Sequence, residues 1–327
     1  MSTPKVSVII PVYQVENYIE KCARSLFAQT LDDIEYIFID DCGGDSSINI
    51  LSSILDEYPN RKNQVKLIRY TENKGVSQSR QDGLDAATGE YIIHCDPDDW
   101  TELNMYEALY NEATETNADI VFCDFYCYSN GKASTYTQTA ISLTGISIIE
   151  SICGANNRTL HGSLCNKLIR ASLYRNVKFP PNINYCEDVF VLLQILQTQG
   201  LKIRYLNATL YYYRINIAGS LVNRTDSKMI AETQDLISIL NNSIPTNTTL
   251  IKSKKSLITT LIYRLFIYGN FSNSKFKDLY KAYIPYIKEN KRIRDIDRLL
   301  LRMAMSGMFN ISKSIRNFLI LIRRNLK

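Results

Sequence analysis

Three carboxylates close the apolar run Gly89-Glu90-Tyr91-Ile92-Ile93-His94-Cys95-Asp96-Pro97-Asp98-Asp99-Trp100. Acids at the carboxyl end of a strand face the crevice where open α/β sheets take their ligands, so this is a place to hold a hard divalent cation. Pro97 fixes its own φ and biases Asp96 toward extended backbone, which holds Asp96 and Asp98 in a stiff turn suited to Mg2+ or Mn2+ and a sugar-phosphate. An Asp-Pro-Asp turn capping a helix is the structural alternative. Two more apolar runs end in polar groups. After the first comes Pro11-Val12-Tyr13, where Tyr13 could stack on a flat base; after the second comes Asp40-Asp41, where Asp41 could accept a hydrogen bond from a uracil N–H. Arg80 adds a fixed positive charge for a base edge or a phosphate. Further along, Glu187-Asp188 opens a helical pattern, and a carboxylate there can take a proton from an attacking hydroxyl. Glu187 would raise the proton affinity of Asp188 or orient it, while the helix N-terminus pulls the other way. Trp100 could wall a sugar ring, Asn166 could bind a sugar hydroxyl, and Lys167 and Arg214 could meet phosphates.

Positioning those groups requires strands and helices in alternation, and the first 130 residues supply them. Apolar runs at Val6–Ile10, Tyr36–Ile39, Val65–Ile68 and Tyr91–Ile93 are separated by helical patterns near Glu16–Gln29, Ser47–Tyr58 and Ser77–Ala87. This order predicts an α/β fold, a doubly wound, mostly parallel sheet of Rossmann-like nucleotide-binding type. A helix near Met105–Thr116 and a strand at Asp119–Phe122 follow, then a polar stretch to Thr144 that reads as an irregular excursion or hairpin. A second patterned block holds Asn166–Ile169, a helix from Glu187 to about Gln199 and the aromatic strand Leu210–Tyr213. We expect a catalytic domain over 1–220, its first 100 residues on the nucleotide side and 101–220 on the acceptor side, with a basic helical region over 221–327.

The 327 residues carry a net charge of +5 that conceals an asymmetry: from Lys252 onward there are 18 basic and 4 acidic residues. An acidic catalytic half needs a metal to bind a polyphosphate, and a basic tail suits an anionic surface. On a helical projection Leu301, Met305, Met308, Ile315, Leu319, Ile322 and Leu326 form one stripe, flanked by Arg302, Lys313, Arg316, Arg324 and Lys327. That pattern predicts attachment to the inner leaflet of a membrane; a nucleic-acid role lacks the aromatic-interleaved platform it would need. Eight cysteines without Cys-x-x-Cys spacing and only two histidines speak against zinc. Met1 to Lys5 lacks the apolar core of a signal peptide, so a cytoplasmic protein, peripheral on the membrane, is expected.

Taken in order, Val8-Ile9-Ile10-Pro11-Val12-Tyr13, Ile39-Asp40-Asp41, Asn73-x-Gly75 with Arg80, Gly89-Glu90-Tyr91-Ile92, Asp96-Pro97-Asp98-Asp99, Asn166-Lys167-Leu168, Phe179, Glu187-Asp188-Val189-Phe190 and Tyr213-Arg214 resemble the family 2 glycosyltransferases of GT-A fold. The resemblance covers roughly the first 220 residues. It implies an inverting transferase using a nucleotide-activated sugar, usually a UDP-sugar, with Asp41 on the base, Asp96 on the ribose, Asp98 on the metal and Asp188 as catalytic base. A lipid-linked saccharide destined for capsule, exopolysaccharide or O-antigen would offer the acceptor hydroxyl. Cys42-Gly43-Gly44, Pro97 and Gln81 depart from the family's usual residues and bear on the donor. A nucleotidyltransferase of similar sheet and a non-catalytic nucleotide-sugar binder are the rival readings.

Overall fold

The computed structural model describes residues 3–156, 160–215, 224–243 and 248–325, with side chains at 243, 248, 249 and 323–325 outside the description. Two compact units emerge, residues 1–145 with 161–222, and 146–160 with 223–327.

In the first unit β1 (Val6–Val12), β2 (Ile34–Asp40), β3 (Val65–Arg69) and β4 (Tyr91–His94) alternate with α1 (Ile19–Phe27), α2 (Ser47–Glu57) and α3 (Val76–Ala86). All four strands are parallel, and β1 lies between β2 and β4. Every residue of β1 is buried, as a central strand covered on both faces must be. Ile19, Cys22, Ala23, Leu26 and Phe27 of α1 are all buried, which is what the helical spacing of the sequence requires. Beyond β4 come β5 (Trp100–Thr101), α4 (Met105–Glu115), β6 (Ile120–Ser129), β7 (Lys132–Tyr136), β8 (Lys167–Arg170), α6 (Glu187–Ile195) and β9 (Ile203–Arg214); α5 (Gly145–Ile152) precedes β8. The sheet runs β3-β2-β1-β4-β8-β6-β9-β5, with β7 on β6. The polar stretch after β6 resolves as a hairpin: Asn130 and Gly131 have φ of 49° and 79°, the two positive values a tight two-residue turn needs.

The second unit holds α7 (Ser227–Ser243), α8 (Thr248–Tyr268), α9 (Asn273–Tyr280), a 3-10 segment (Lys281–Glu289), α10 (Asp295–Met303) and α11 (Phe309–Asn325). Its core gathers Ile258, Leu261, Ile262, Phe266, Phe276, Leu301 and Phe309. Residues 146–160, expected on the catalytic side of a boundary near 220, belong here. Ser256 donates to the Cys153 carbonyl at 2.8 Å and Arg292 to that of Ser151 at 3.0 Å, so the segment satisfies polar groups of this unit. The tail also differs from its helical projection. Gly307, at φ 104°, breaks the helix between α10 and α11 and resets the phase. Leu301 and Met305 are buried, whereas the outward row on α11 is Ile311, Ile315, Phe318 and Ile322, with Leu319 half-buried. Lys313 donates to the Gly269 carbonyl and Arg316 faces Asp297 at 3.7 Å, so these two members of the expected basic flank are engaged inside the unit. Leu326 and Lys327, and the side chain of Arg324, lie outside the described residues. No helix among the described residues is long and apolar enough to cross a membrane.

Candidate active site

The parallel strands deliver their acids to one edge. At the other edge, acids have structural work: Glu35 accepts from Ser7 at 2.5 Å and from the Thr88 amide at 2.9 Å. At the carboxyl ends, the Asp41 amide donates to the Val12 carbonyl and the Cys95 amide to that of Ile9, which ties the polar turns after β2 and β4 to β1. Pro11 is buried within β1, while Tyr13 just past its end is 44% exposed, free to offer a ring face.

Asp41 is itself buried, and its carboxylate is received by a loop. The amides of Lys74 and Gly75 donate to it at 2.6 and 2.9 Å, and the Asn73 side chain at 3.1 Å. Burial outweighs these donors and shifts its pKa upward. Gly75 sits at φ 87° and ψ 161°, a conformation open to glycine almost alone. A Cβ there would lie 2.4 Å from Oδ1 of Asn184. Asn184 accepts from the Ser77 amide at 3.3 Å, and Ser77 donates to Pro180 at 2.6 Å, so α3 and the segment leading to α6 are sewn together at this loop.

Arg80 is the hub. Projecting from α3 and almost wholly buried, its guanidinium donates to Asp96 at 2.8 Å and to Glu187 at 2.5 Å. The sequence reading gave Arg80 to a base edge or phosphate; the structure brings it instead to two carboxylates from distant parts of the chain. Asp188, next to Glu187 at the start of α6, accepts from the Val189 amide at 2.7 Å. Burial raises its pKa against the pull of Arg80 and that amide. The same contest pushes Glu187 up to about 7. The turn into α6 is sharp: Cys186 precedes it in left-handed backbone, φ 59°.

Asp98 and Asp99 divide the labour after β4. Asp99 is buried and accepts from the Tyr211 hydroxyl and the Arg214 amide, both at 2.7 Å, so it anchors the end of β9. Asp98 is half-buried and pushed up to about 7 by burial and by the charge of Asp96. A carboxylate whose proton affinity is raised by burial and a neighbouring acid is a donor that a divalent cation would relieve, and the rest of the cation's oxygen shell could come from a diphosphate. No group of three or more His, Cys, Asp or Glu residues suited to a metal exists among the described residues. Arg214 donates to the Asp98 carbonyl at 2.9 Å and lies 4.9 Å from the Trp100 ring. Trp100 is stacked on Tyr212 at 4.8 Å, and the Lys21 ammonium covers its ring at 3.3 Å. The indole is thus packed between groups of the fold and is 7% exposed.

Asn166 and Lys167 are buried. Asn166 donates to the Cys123 carbonyl at 2.5 Å, and Lys167 donates to His161 O, Ser163 O and Asn166 Oδ1 at 2.7 to 2.9 Å. Burial lowers the Lys167 pKa to about 8. These contacts pin the loop before β8. Residue type and spacing do not single out Tyr211, Lys21 or Asn184, because each acts through a contact made by folding; only the neighbouring Asn73-x-Gly75 hints at the loop that receives Asp41.

An edge of acids at the ends of parallel strands, with a loop of amides beside it, defines a nucleotide-binding α/β unit of GT-A type. The chain aligns with the structure of S. aureus TarS 1-349 in complex with UDP-GlcNAc at a TM-score of 0.65 and 19% identity, over 96% of this chain and 90% of that one. The model of glycosyl transferase family 2 matches residues 7–178, and the chain belongs to that family. It is similar to the uncharacterized glycosyltransferase EpsJ of Bacillus subtilis, 33% identical over 65% of this chain and 62% of EpsJ. The putative glycosyltransferase EpsH of the same organism is 30% identical over 80% of this chain and 75% of EpsH.

Proposed function

We propose that this chain is an inverting glycosyltransferase that moves one sugar from a UDP-sugar to a hydroxyl of a lipid-linked saccharide during cell-surface polysaccharide synthesis. The observation that carries the reading is the Arg80 bridge: one guanidinium donates to both Asp96 and Glu187, which supports a nucleotide side at the first and an acceptor side at the second. In this reading Tyr13 and Asp41 with its loop receive the base, Asp96 the ribose, and Arg214 the phosphates. Asp98, with Asp96 beside it, would hold Mg2+ or Mn2+, which when bound neutralises charge on the leaving diphosphate. Asp188 takes the proton of the attacking hydroxyl, on the face opposite the leaving group, and its raised pKa suits that task. Glu187 stays beside Arg80 and keeps the start of α6 in place. The outward apolar row of α11 supports peripheral attachment to the cytoplasmic face of a membrane, where a lipid-linked acceptor is found.

The test is UDP release from a panel of UDP-sugars with Mn2+, for wild type, Asp98→Ala and Asp188→Asn, with and without a membrane lipid extract. Release from one donor, lost in both variants and raised by lipid, is the expected result. Full turnover in Asp188→Asn would favour a nucleotidyltransferase, and metal-dependent UDP binding without release under any acceptor would favour a non-catalytic binder.

A further inference from the structure

The second unit contains a groove of about 700 Å³ lined by Ile284, Ile287 and Leu299 together with Lys288, Lys291 and Arg302. Its size falls within the range of roughly 300–1,000 Å³ typical of small-molecule sites. The composition is unusual for an idle surface, because an apolar floor is rimmed by three cations. Asp295, the one acid in the lining, is held by Arg298. None of the ion pairs among the described residues involves Lys288, Lys291 or Arg302, and all three side chains are exposed. Three positive charges around an apolar hollow complement a phosphate joined to hydrocarbon.

We infer that this groove is a headgroup site for the anionic phospholipids of a membrane surface. The inference rests on the peripheral-membrane reading and relocates its electrostatic part, keeping only Arg302 of the expected flank. The sequence pattern assigned headgroup binding to the basic flank of the tail, yet Lys313 and Arg316 of that flank are engaged within the unit. Among its described side chains, those that α11 leaves exposed carry no charge, and Ile311 and Phe318 are 56% and 61% exposed. The two features divide the work, α11 supplying insertion and the groove supplying charge recognition. Each cation near an anionic leaflet changes partitioning by about fivefold, so the groove would set the preference among lipids.

Vesicle co-sedimentation of the full chain tests this, with phosphatidylcholine vesicles alone, with added phosphatidylglycerol, or with added isoprenyl phosphate. The wild type should sediment preferentially with phosphatidylglycerol. Lys288→Glu/Lys291→Glu/Arg302→Glu should reduce that binding at least about tenfold, and the same triple change to Gln should reduce it less. Thermal melts followed by circular dichroism, measured on the same samples, report an intact second unit. Phe318→Ser should weaken binding to every vesicle alike. Groove variants that sediment as wild type, while Phe318→Ser abolishes binding, would overturn the inference and leave membrane attachment standing. Binding that requires isoprenyl phosphate and ignores phosphatidylglycerol would overturn it in favour of an acceptor site. A wild type that sediments with none of the vesicles would overturn both readings.

Discussion

Asp188 has the surroundings of a proton acceptor: a half-buried carboxylate at the start of α6, one backbone amide on Oδ1, and a second acid beside it. Replacing it by Asn keeps the shape and removes the basicity. Asp188→Asn should lower kcat by about 10²- to 10⁴-fold while UDP affinity by calorimetry stays near that of wild type. Equal losses in binding and turnover would place the residue in donor binding instead. Asp98 carries the pH dependence. Its folded pKa of about 7 lies above its ordinary 3.8, so protonation favours the ligand-free fold at low pH, and that contribution is lost as pH rises through about 7. A cation needs the carboxylate. Mn2+-dependent UDP affinity should therefore climb from about pH 5 to about pH 7 and level off above; a flat calorimetric profile would exclude Asp98 as the controlling group. Lys167 shows what residue types alone conceal. A lysine near a strand reads as a phosphate ligand in the sequence, but its three oxygen partners come from a loop whose path only folding defines.

At the scale of elements, the loop between β3 and α3 is the part most sensitive to backbone geometry. Gly75→Ala must adopt a conformation that L residues avoid and push Asn184 aside, a cost of about 1–3 kcal/mol before any lost packing. We expect a melting temperature lower by several degrees and weaker UDP binding, since the Lys74 and Gly75 amides that hold Asp41 would shift. Unchanged affinity would mean that Asp41 is positioned without them. The first four strands and three helices were legible from the sequence because β1, β2 and β4 are buried runs and α1 has a single apolar stripe, patterns that local sequence encodes directly. That Asp41, Asp96 and Asp98 all lie past the carboxyl ends of parallel strands followed from strand order. The tail was not legible in the same way. One glycine at φ 104° interrupts the helix, and a projection that assumes a continuous helix joins the buried Leu301 and Met305 of one segment to the outward Ile315 and Ile322 of the next.

At the scale of the molecule, the two units have separate polar nodes as well as separate cores. Asn290, fully buried in the second, donates to Ser256 O and to the Thr259 and Thr260 hydroxyls and accepts from the Arg292 amide. Asn290→Ala removes those bonds and should destabilise that unit by about 1–3 kcal/mol, while metal-dependent UDP binding by the first unit persists. Loss of both on calorimetry would show that the units unfold together. The charge asymmetry belongs to this scale too: in the proposed function the acids of the first unit would gather a cation and the bases of the second would meet an anionic surface. Trp100 gives the whole chain one further property. As the sole indole among 327 residues, pressed between Tyr212 and the Lys21 ammonium and touched by an arginine that also holds Asp98, it makes the protein a self-labelled optical reporter. Its emission comes from one place, and a donor that draws Lys21 or Arg214 away from the ring would be seen as a change in colour or brightness without any added dye.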